Sequence, residues 1–199
     1  ASLRSAGAAL DVRRGEVVAE TVKAARRVRA EAVFVSADVS PYARAREAKL
    51  ADEVDLRVVD SHFVVPAGEV APAGGTHYRV FTPYYRAWLP AWRGEPLGKP
   101  RTIRLPEGTT IKPPPRVGHV SLAPGGERAG ARLARRWLAD GLAGYGTGHD
   151  DLGADGTSRL SPYIHFGCVS PRALAVRARE KRGVAFVRQL CWRDFYAQL

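Results

Sequence analysis

Cysteine is scarce in this sequence, and the short motifs of several enzyme classes are missing. The two cysteines, Cys168 and Cys191, are too far apart for a C-x-x-C pair, and neither has a histidine or cysteine neighbour at zinc-site spacing. We therefore expect two free thiols and no bound metal. The sequence also lacks a Walker loop, an H-E-x-x-H motif and a G-x-S-x-G nucleophile elbow, which argues against the enzyme classes that those motifs define.

Long apolar runs are absent as well. No stretch approaches the roughly 18 apolar residues of a membrane-spanning helix, and no charged-then-apolar leader resembles a signal peptide. Apolar residues make up 45% of the 199 residues and charged residues 26%, which is typical of globular chains and argues against wholesale disorder. The sequence therefore predicts a soluble, cytoplasmic protein without a membrane partner.

Acidic residues are outnumbered by basic ones. The chain has 31 Lys and Arg against 20 Asp and Glu, a formal net charge of +11 at pH 7. This balance favours polyanionic partners, because binding them releases condensed counterions, and it makes nucleic acid the first candidate. Arginine supplies 26 of the 31 basic residues. Its fork suits phosphate groups, although a coding bias explains the excess equally well.

Residues 10–60 alternate short apolar runs with helical patterns. Strands that alternate with helices predict a parallel sheet, and we interpret residues 1–63 as an incomplete Rossmann-like α/β domain. The middle apolar run lacks polar alternation, so we expect it to be covered on both faces. The alternating segments, three strands separated by two helices, are Leu10–Arg13, Gly15–Arg29, Ala32–Ser36, Pro41–Ala51 and Leu56–Val59.

Prolines punctuate residues 64–124, which argues against long regular elements there. An aromatic segment within it, residues 78–88, needs a surface to pack against, so we predict a connector that lies on the body of the protein. Residues 125–199 have a helical pattern. One of their helices opens on Ser170-Pro171, a cap residue followed by a first-turn proline.

The last helical segment has two different faces. One carries an ordinary core stripe, and the other alternates aromatic rings with an amide and a guanidinium, which suits flat heteroaromatic rings and phosphates. A second helix that packs on this face, with Arg193 paired to an acid, explains the pattern equally well. The core stripe is Val187, Leu190, Cys191 and Phe195, and the other face is Phe186, Gln189, Arg193 and Tyr196 with Trp192 beside them.

Three segments, in order along the chain, resemble the DNA photolyase and cryptochrome family. The first is a connector signature of tyrosine, valine, phenylalanine, threonine and proline, and the other two lie in the helical part. They read Tyr78-Arg-Val-Phe-Thr-Pro-Tyr-Tyr-Arg-Ala-Trp88, then Thr157-Ser-Arg-Leu-Ser161 with Pro162-Tyr163 and Gly167-Cys-Val-Ser-Pro171-Arg172, and then Gln189-Leu-Cys-Trp-Arg-Asp-Phe-Tyr196.

The resemblance implies the domain order and the chemistry. It implies part of an α/β antenna domain over residues 1–63, an interdomain connector over 64–124, and the start of an all-α FAD-binding domain over 125–199. It implies a lyase, a deoxyribodipyrimidine photolyase when full length, in which photoexcited reduced FAD repairs pyrimidine dimers in DNA. It also implies a monomer and a possible second antenna chromophore of unknown identity.

The resemblance also implies a flavin site. From the residues alone, hydroxyls and N–H groups just after Gly156 suit a diphosphate at a helix start, and a plain helix cap explains the same short segment. The resemblance favours the flavin, and it places no catalytic residue in this segment. The implied cofactor-binding residues are Tyr145, Thr157, Ser158, Arg159, Leu160, Ser161, Phe186 and Arg193.

The implied lesion-binding residues are His149, Gln189 and Trp192, with the indole of Trp192 as a flat wall for an extruded dimer. His149 replaces an arginine common in the family. Gln189 stands where many members that repair cyclobutane dimers carry a glutamate, which leaves the substrate class open. Ser36 and Ser40 stand where folate-binding members carry amide and acidic groups, so no folate antenna is inferred.

Two other functions stay open. A cryptochrome has the same fold and flavin but signals by a light-driven redox change, and a flavin-free basic module binds nucleic acid with ordinary salt dependence. The resemblance ends before most of the helical domain, so we expect this segment by itself to be inactive and not to bind FAD tightly. We therefore expect the apolar residues of Phe195–Leu199 to lack partners within this chain and the isolated piece to be poorly soluble.

Overall fold

The computed structural model describes residues 2–92, 96–98, 100–107, 109, 111 and 123–199. The chain divides into two compact units, one from Ala1–Val59 and Leu97–Leu122, the other from Asp60–Pro96 and Ala123–Leu199. The domain boundaries after residues 63 and 124 stay a prediction. Parts of the predicted connector, 93–95, 99, 108, 110 and 112–122, lie outside the described residues.

The first unit contains a β–α–β arrangement, as the alternating pattern predicts. Its elements are α1 (Ser2–Ser5), α2 (Val17–Arg27), β1 (Val33–Ser36), α3 (Pro41–Ala51) and β2 (Leu56–Val59). The two strands are parallel, with Val33 opposite Leu56. Helix α3 begins at Pro41, where the Ser40 side chain accepts a hydrogen bond from the Ala43 N–H at 3.3 Å. The α/β class is therefore confirmed.

Two expectations about this sheet are wrong. Residues 10–13 form only an isolated bridge at Asp11 and no strand. Strand β1 is not covered on both faces, because its burial alternates along the strand and Phe34 is 65% exposed. The guanidinium of Arg57 lies 5.6 Å from the centre of the Phe34 ring and partly shields this ring from water. The apolar run was therefore a poor guide to burial.

The second unit is helical. Its elements are α4 (Phe81–Ala91), α5 (Glu127–Arg136), a π-helical turn (Trp137–Gly141), α6 (Tyr145–Gly148), α7 (Ser161–His165), α8 (Pro171–Glu180) and α9 (Val184–Tyr196). Helix α9 is central, since α4, α6 and α8 all pack against it. Helix α8 begins as predicted, with the Ser170 side chain accepting a hydrogen bond from the Ala173 N–H at 3.3 Å.

Helix α4 contradicts the expectation that the proline-rich segment lacks regular elements of this length. Its eleven residues include two prolines. Pro83 is tolerated because it lies in the first turn, where backbone N–H groups have no helical partner. Pro90 is the penultimate residue and removes only a bond near the end of the helix. Three aromatic side chains, Phe81, Tyr84 and Trp88, are buried beneath α4, as the packing of that segment predicted.

A buried carboxylate joins three parts of this unit. Oδ2 of Asp194, on α9, accepts hydrogen bonds at 3.0 Å from the backbone N–H groups of Val64 and Val65 and from Nε1 of Trp88. Asp194 is 1% exposed, and its other oxygen has no hydrogen-bond partner. Because burial opposes the charged form, it raises the pKa of Asp194 to about 6, although the hydrogen bonds act in the other direction.

The end of α9 only partly follows expectation. Phe195 is 4% exposed and packs against Phe81, Tyr84 and Trp192, so the expectation that it lacks partners is wrong. Helix α4 supplies two of these partners, Phe81 and Tyr84, from a distant part of the sequence. Leu199 is 66% exposed, as expected.

The Asp194 carboxyl predicts a pH-dependent stability. Its folded pKa of about 6 exceeds the unfolded value, so its contribution is full below about pH 4 and is lost as the pH rises to 6. We expect the unfolding free energy of the wild type to fall relative to that of Asp194→Asn across this window, by up to about 1.4 kcal/mol per pH unit. Urea denaturation of both proteins measures it, and a difference that does not vary with pH contradicts it.

Candidate functional site

One face of α9 lines a recess of about 510 Å³, which we call the indole recess. Positions 185, 188, 189 and 192 lie on one side of a helix because they are three or four residues apart. The recess contains the three predicted lesion-binding residues, and none of its lining residues in the described part of the chain is a carboxylate. Its lining residues are His149, Val184, Ala185, Arg188, Gln189 and Trp192.

The indole of Trp192 is half-buried and held by other rings. The Phe81 ring lies parallel to it, with 3.6 Å between ring centres and 5° between planes. Tyr196 stacks at 5.6 Å and 26°, and Phe195 meets it edge-on at 5.6 Å. The rings of Phe81, Phe195 and Tyr196 therefore hold the Trp192 side chain in one orientation while it still lines the recess.

The polar groups of the indole recess are cationic or neutral. Gln189 and Arg188 are exposed, and the Arg188 guanidinium lies 5.4 Å from the centre of the Phe81 ring and 5.6 Å from that of Tyr85. His149 is held by a 2.8 Å hydrogen bond between its Nδ1 and the carbonyl oxygen of Tyr145. A flat ring, an amide and a cation in one recess can bind a planar base that has hydrogen-bonding edges.

A second recess, of about 240 Å³, contains three of the predicted cofactor-binding residues; we call it the hydroxyl recess. Thr157 is exposed and Ser158 half-exposed, while the guanidinium of Arg159 is paired with Asp155, Nε to Oδ1, at 2.6 Å. The recess therefore offers hydroxyl donors and two guanidinium groups, together with the carboxylates of Asp140 and Asp155. Its lining residues are Leu133, Arg136, Trp137, Asp140, Gly141, Asp155, Thr157, Ser158 and Arg159.

Two close approaches shape the hydroxyl recess. A Cβ on Gly156 would lie 2.4 Å from the Gly148 carbonyl oxygen, so the backbone before Thr157 passes directly against the end of α6. A Cβ on Gly141 would lie 2.2 Å from the Trp137 ring, which closes over the π-helical turn. Arg159 has φ of 50°, a left-handed conformation that costs energy in a non-glycine residue.

Several other predicted cofactor-binding residues lie in the core. Leu160 is fully buried, and Ser161 is exposed as the first residue of the short helix α7. Tyr145 and Phe186 are buried and meet edge-on at 5.5 Å between ring centres. Burial raises the pKa of the Tyr145 hydroxyl. Phe186 thus belongs to the core and not to the exposed face that the helical pattern predicted for it.

Arg193 is half-buried and lines neither of the two recesses. Its guanidinium donates a hydrogen bond to the carbonyl oxygen of His62 and lies 5.1 Å from the centre of the Phe63 ring. The nearest oxygen of Asp194 is 3.6 Å away. The alternative in which Arg193 is paired with an acid therefore describes this side chain better than free presentation to a ligand does.

Sequence reasoning missed Phe81, Arg188 and Asp194. Arg188 had a usable signal, because it precedes Trp192 by four residues on the same helix. Phe81 and Asp194 lie in segments that resemble the family, but nothing local indicated their contacts, since the partners are more than a hundred residues away along the chain. The helical period identifies a face, but it does not identify what covers that face.

Other site chemistry has little support within the described ranges. No group of three His, Cys, Asp or Glu residues there is placed to hold a metal ion. Both cysteines are free, and burial raises the pKa of the Cys191 thiol. Of the helices described, none combines the length and apolar character needed to cross a membrane.

Comparison with known proteins gives a consistent result. Residues 1–102 match the protein family described as DNA photolyase. The whole chain is 44% identical to a deoxyribodipyrimidine photo-lyase of Streptomyces griseus and covers 47% of it. Over 98% of its length it is 31% identical to a cryptochrome DASH of Natronomonas pharaonis and covers 48% of that protein. The chain spans about half the length of the curated relatives it matches.

The fold has close counterparts among solved structures. A crystal structure of a class III photolyase from Agrobacterium tumefaciens matches 99% of the chain with a TM-score of 0.80. The chain covers 46% of that structure, and the sequences are 21% identical. The likeness supports an α/β domain followed by the start of a helical domain, as expected.

The close approach at Gly156 predicts a position-specific loss of stability. We expect Gly156→Ala to lower the unfolding free energy by about 1–3 kcal/mol, because a backbone carbonyl cannot yield as a flexible side chain can. Thermal unfolding measures the effect. Gly144→Ala is the matched control, since a Cβ there meets nothing within 4 Å. Equal effects of the two substitutions would contradict the backbone contact.

Proposed function

Because the chain belongs to the DNA photolyase family, we propose that the protein repairs pyrimidine dimers in DNA by light-driven electron transfer from bound FAD. The observation that carries the proposal is the indole recess, where Trp192, Gln189 and His149 lie together. The formal net charge of +11 supports a DNA partner. A monomeric state and a second chromophore stay predictions from the resemblance, and a cytoplasmic location stays a prediction from the sequence.

The hydroxyl recess fits the diphosphate of a flavin dinucleotide. The hydroxyls of Thr157 and Ser158 can donate to phosphate oxygens, and Arg136 can contribute positive charge. Arg159 is already paired with Asp155, so its proposed contribution is through the backbone. When bound, the cofactor supplies the reversible transfer of one electron to the dimer under illumination.

The remaining proposed cofactor residues have supporting positions. Leu160, Tyr145 and Phe186 are buried behind the two recesses, where they keep the neighbouring loop and helices in place. Ser161 is exposed at the start of α7 and can donate its hydroxyl. Arg193 enters the proposal through the resemblance alone, since its guanidinium contacts His62 and Phe63.

The indole recess fits a base taken out of the DNA stack. Trp192 offers a ring for stacking, and the Gln189 amide can donate to and accept from a base edge. Arg188 can attract DNA phosphates, whereas Nε2 of His149 lies 3.4 Å from the exposed Asp150 carboxylate. Stacking on Trp192 offsets part of the free-energy cost of extruding the base.

Cryptochrome-type signalling is the second candidate, and the similarity to a cryptochrome DASH supports it. Both functions share the fold and the flavin, so neither recess discriminates between them. Illumination of dimer-containing DNA with the purified protein does discriminate. Repair requires that dimers disappear in light and persist in the dark, whereas persistence in both favours signalling.

The flavin assignment predicts that Thr157→Val lowers the flavin bound per protein, because it replaces a phosphate donor with a methyl group of similar size. We expect a loss of about tenfold in flavin affinity, the value of about one hydrogen bond to a charged group. Visible absorbance after dialysis measures it. Thr147→Val is the matched control, since the Thr147 hydroxyl bonds only the Gly144 carbonyl in the described structure. Unchanged flavin content in Thr157→Val would reject the assignment.

The lesion assignment predicts that Trp192→Ala weakens binding to dimer-containing DNA by about 1–3 kcal/mol while flavin content stays nearly constant. Titration of a labelled oligonucleotide in the dark measures the affinity. The control is Trp92→Ala, which also removes a half-buried indole, but one that packs at a tilt against Trp88 and beneath the Arg179 guanidinium. Lost flavin with retained affinity for damaged DNA would show that the roles are wrongly assigned.

A further inference from the structure

We propose that Phe81 is a positioning residue, which fixes the Trp192 indole as a rigid wall of the indole recess before any base arrives. The inference rests on the proposed function, because the ligand that stacks on this indole is a base extruded from damaged DNA. It adds a residue that lines neither recess and whose effect on selectivity is transmitted by Trp192.

The ring geometry is the first support. An indole has two faces, and the Phe81 ring lies parallel to one of them with 3.6 Å between centres and 5° between planes. Phe81 is 5% exposed, so its own ring has little freedom to turn. Trp192 therefore cannot rotate about its side-chain bonds without leaving this contact.

Helix α4, which carries Phe81, is itself held against α9. Phe81 and Trp88 are seven residues apart on α4, about two turns, so they lie on the same side of the helix. Nε1 of Trp88 donates to Asp194, which follows Trp192 by two residues on α9. The two helices are thus joined at the carboxylate and again at the ring stack, which restrains sliding between them.

Arg188 covers the same ring from α9. Its guanidinium lies within 5.6 Å of the centres of both the Phe81 and the Tyr85 rings. A cation over these rings shields them from water while its charge stays at the recess. Phe81 is consequently packed by Trp192 and Arg188, which are one helical turn apart.

A Trp192 indole that is already fixed favours binding, because ordering a mobile indole would cost conformational entropy. A mobile indole must be ordered when the base stacks, and this ordering subtracts from the affinity. Selectivity for damaged DNA depends on this stacking, whereas the attraction of phosphates to the basic surface does not. Loss of Phe81 should therefore lower selectivity more than general DNA affinity.

The experiment compares Phe81→Leu with Tyr84→Leu in the purified full chain. Tyr84 is 3% exposed on the same helix and contacts Tyr78 and Phe195 but not the Trp192 ring, so it matches the lost packing. Affinities are measured for a duplex with one thymine cyclobutane dimer and for the undamaged duplex. We expect their ratio to fall about fivefold in Phe81→Leu, part of the value of one stacked base, and to hold in Tyr84→Leu.

Two further measurements keep the proposal falsifiable. In a Trp192→Ala background, Phe81→Leu should no longer change the ratio, because Arg188, which Phe81 also contacts, attracts the phosphates of both duplexes alike. With 5-fluorotryptophan, the fluorine resonance of Trp192, assigned by Trp192→Phe, should broaden in Phe81→Leu but not in Tyr84→Leu, whereas a shift without broadening reports only the lost ring current. If Phe81→Leu does not fold, Phe81→Met replaces it, since methionine fills similar volume without a flat ring.

The outcomes separate this inference from the proposed function. Equal changes of the ratio in the two variants, or a change that persists without Trp192, overturn the role of Phe81. If the wild type does not prefer damaged DNA, the lesion-binding function fails instead. The fluorine spectrum then decides the inference, and a Trp192 resonance that does not broaden in Phe81→Leu overturns it.

Discussion

The helical unit depends on one buried carboxylate. Asp194 receives three N–H donors on a single oxygen, from two residues of the segment after β2 and from the indole of Trp88. Burying an ionised carboxylate costs free energy unless it is hydrogen-bonded. The three N–H donors must therefore stay within hydrogen-bonding distance of Asp194 when it is ionised. The bonds join α4, α9 and residues 64–65, which are far apart in the sequence.

The indole recess follows from this constraint. With Trp88 bonded to Asp194, the other end of the same face of α4 brings Phe81 against Trp192. The recess-lining residues of α9 then occupy the opposite side of the helix from its buried stripe. Structural and functional roles are thus divided between neighbouring residues: Asp194 and Phe195 hold the fold, and Gln189 and Trp192 face the recess.

The hydroxyl recess depends on a different kind of contact. It forms because the backbone at Gly156 touches the carbonyl at the end of α6, where side chains would not fit. This approach brings Thr157 and Ser158 to the π-helical turn after α5, while His149, just beyond α6, lines the indole recess. One short helix therefore borders the segments that form both recesses, which suits a protein in which cofactor and substrate must lie near each other.

Local features could be read from the amino-acid order alone: the serine–proline helix starts at Ser40 and Ser170, the β–α–β order, and the motifs that mark the family. These depend on neighbours within a few residues, which a sequence displays directly. Three other features emerged from the packing of distant segments: Phe186 lies in the core, Arg193 is hydrogen-bonded to His62, and Phe81 packs against Trp192. Those outcomes depend on which distant segment covers a helix face, and helical periodicity carries no information about the covering segment.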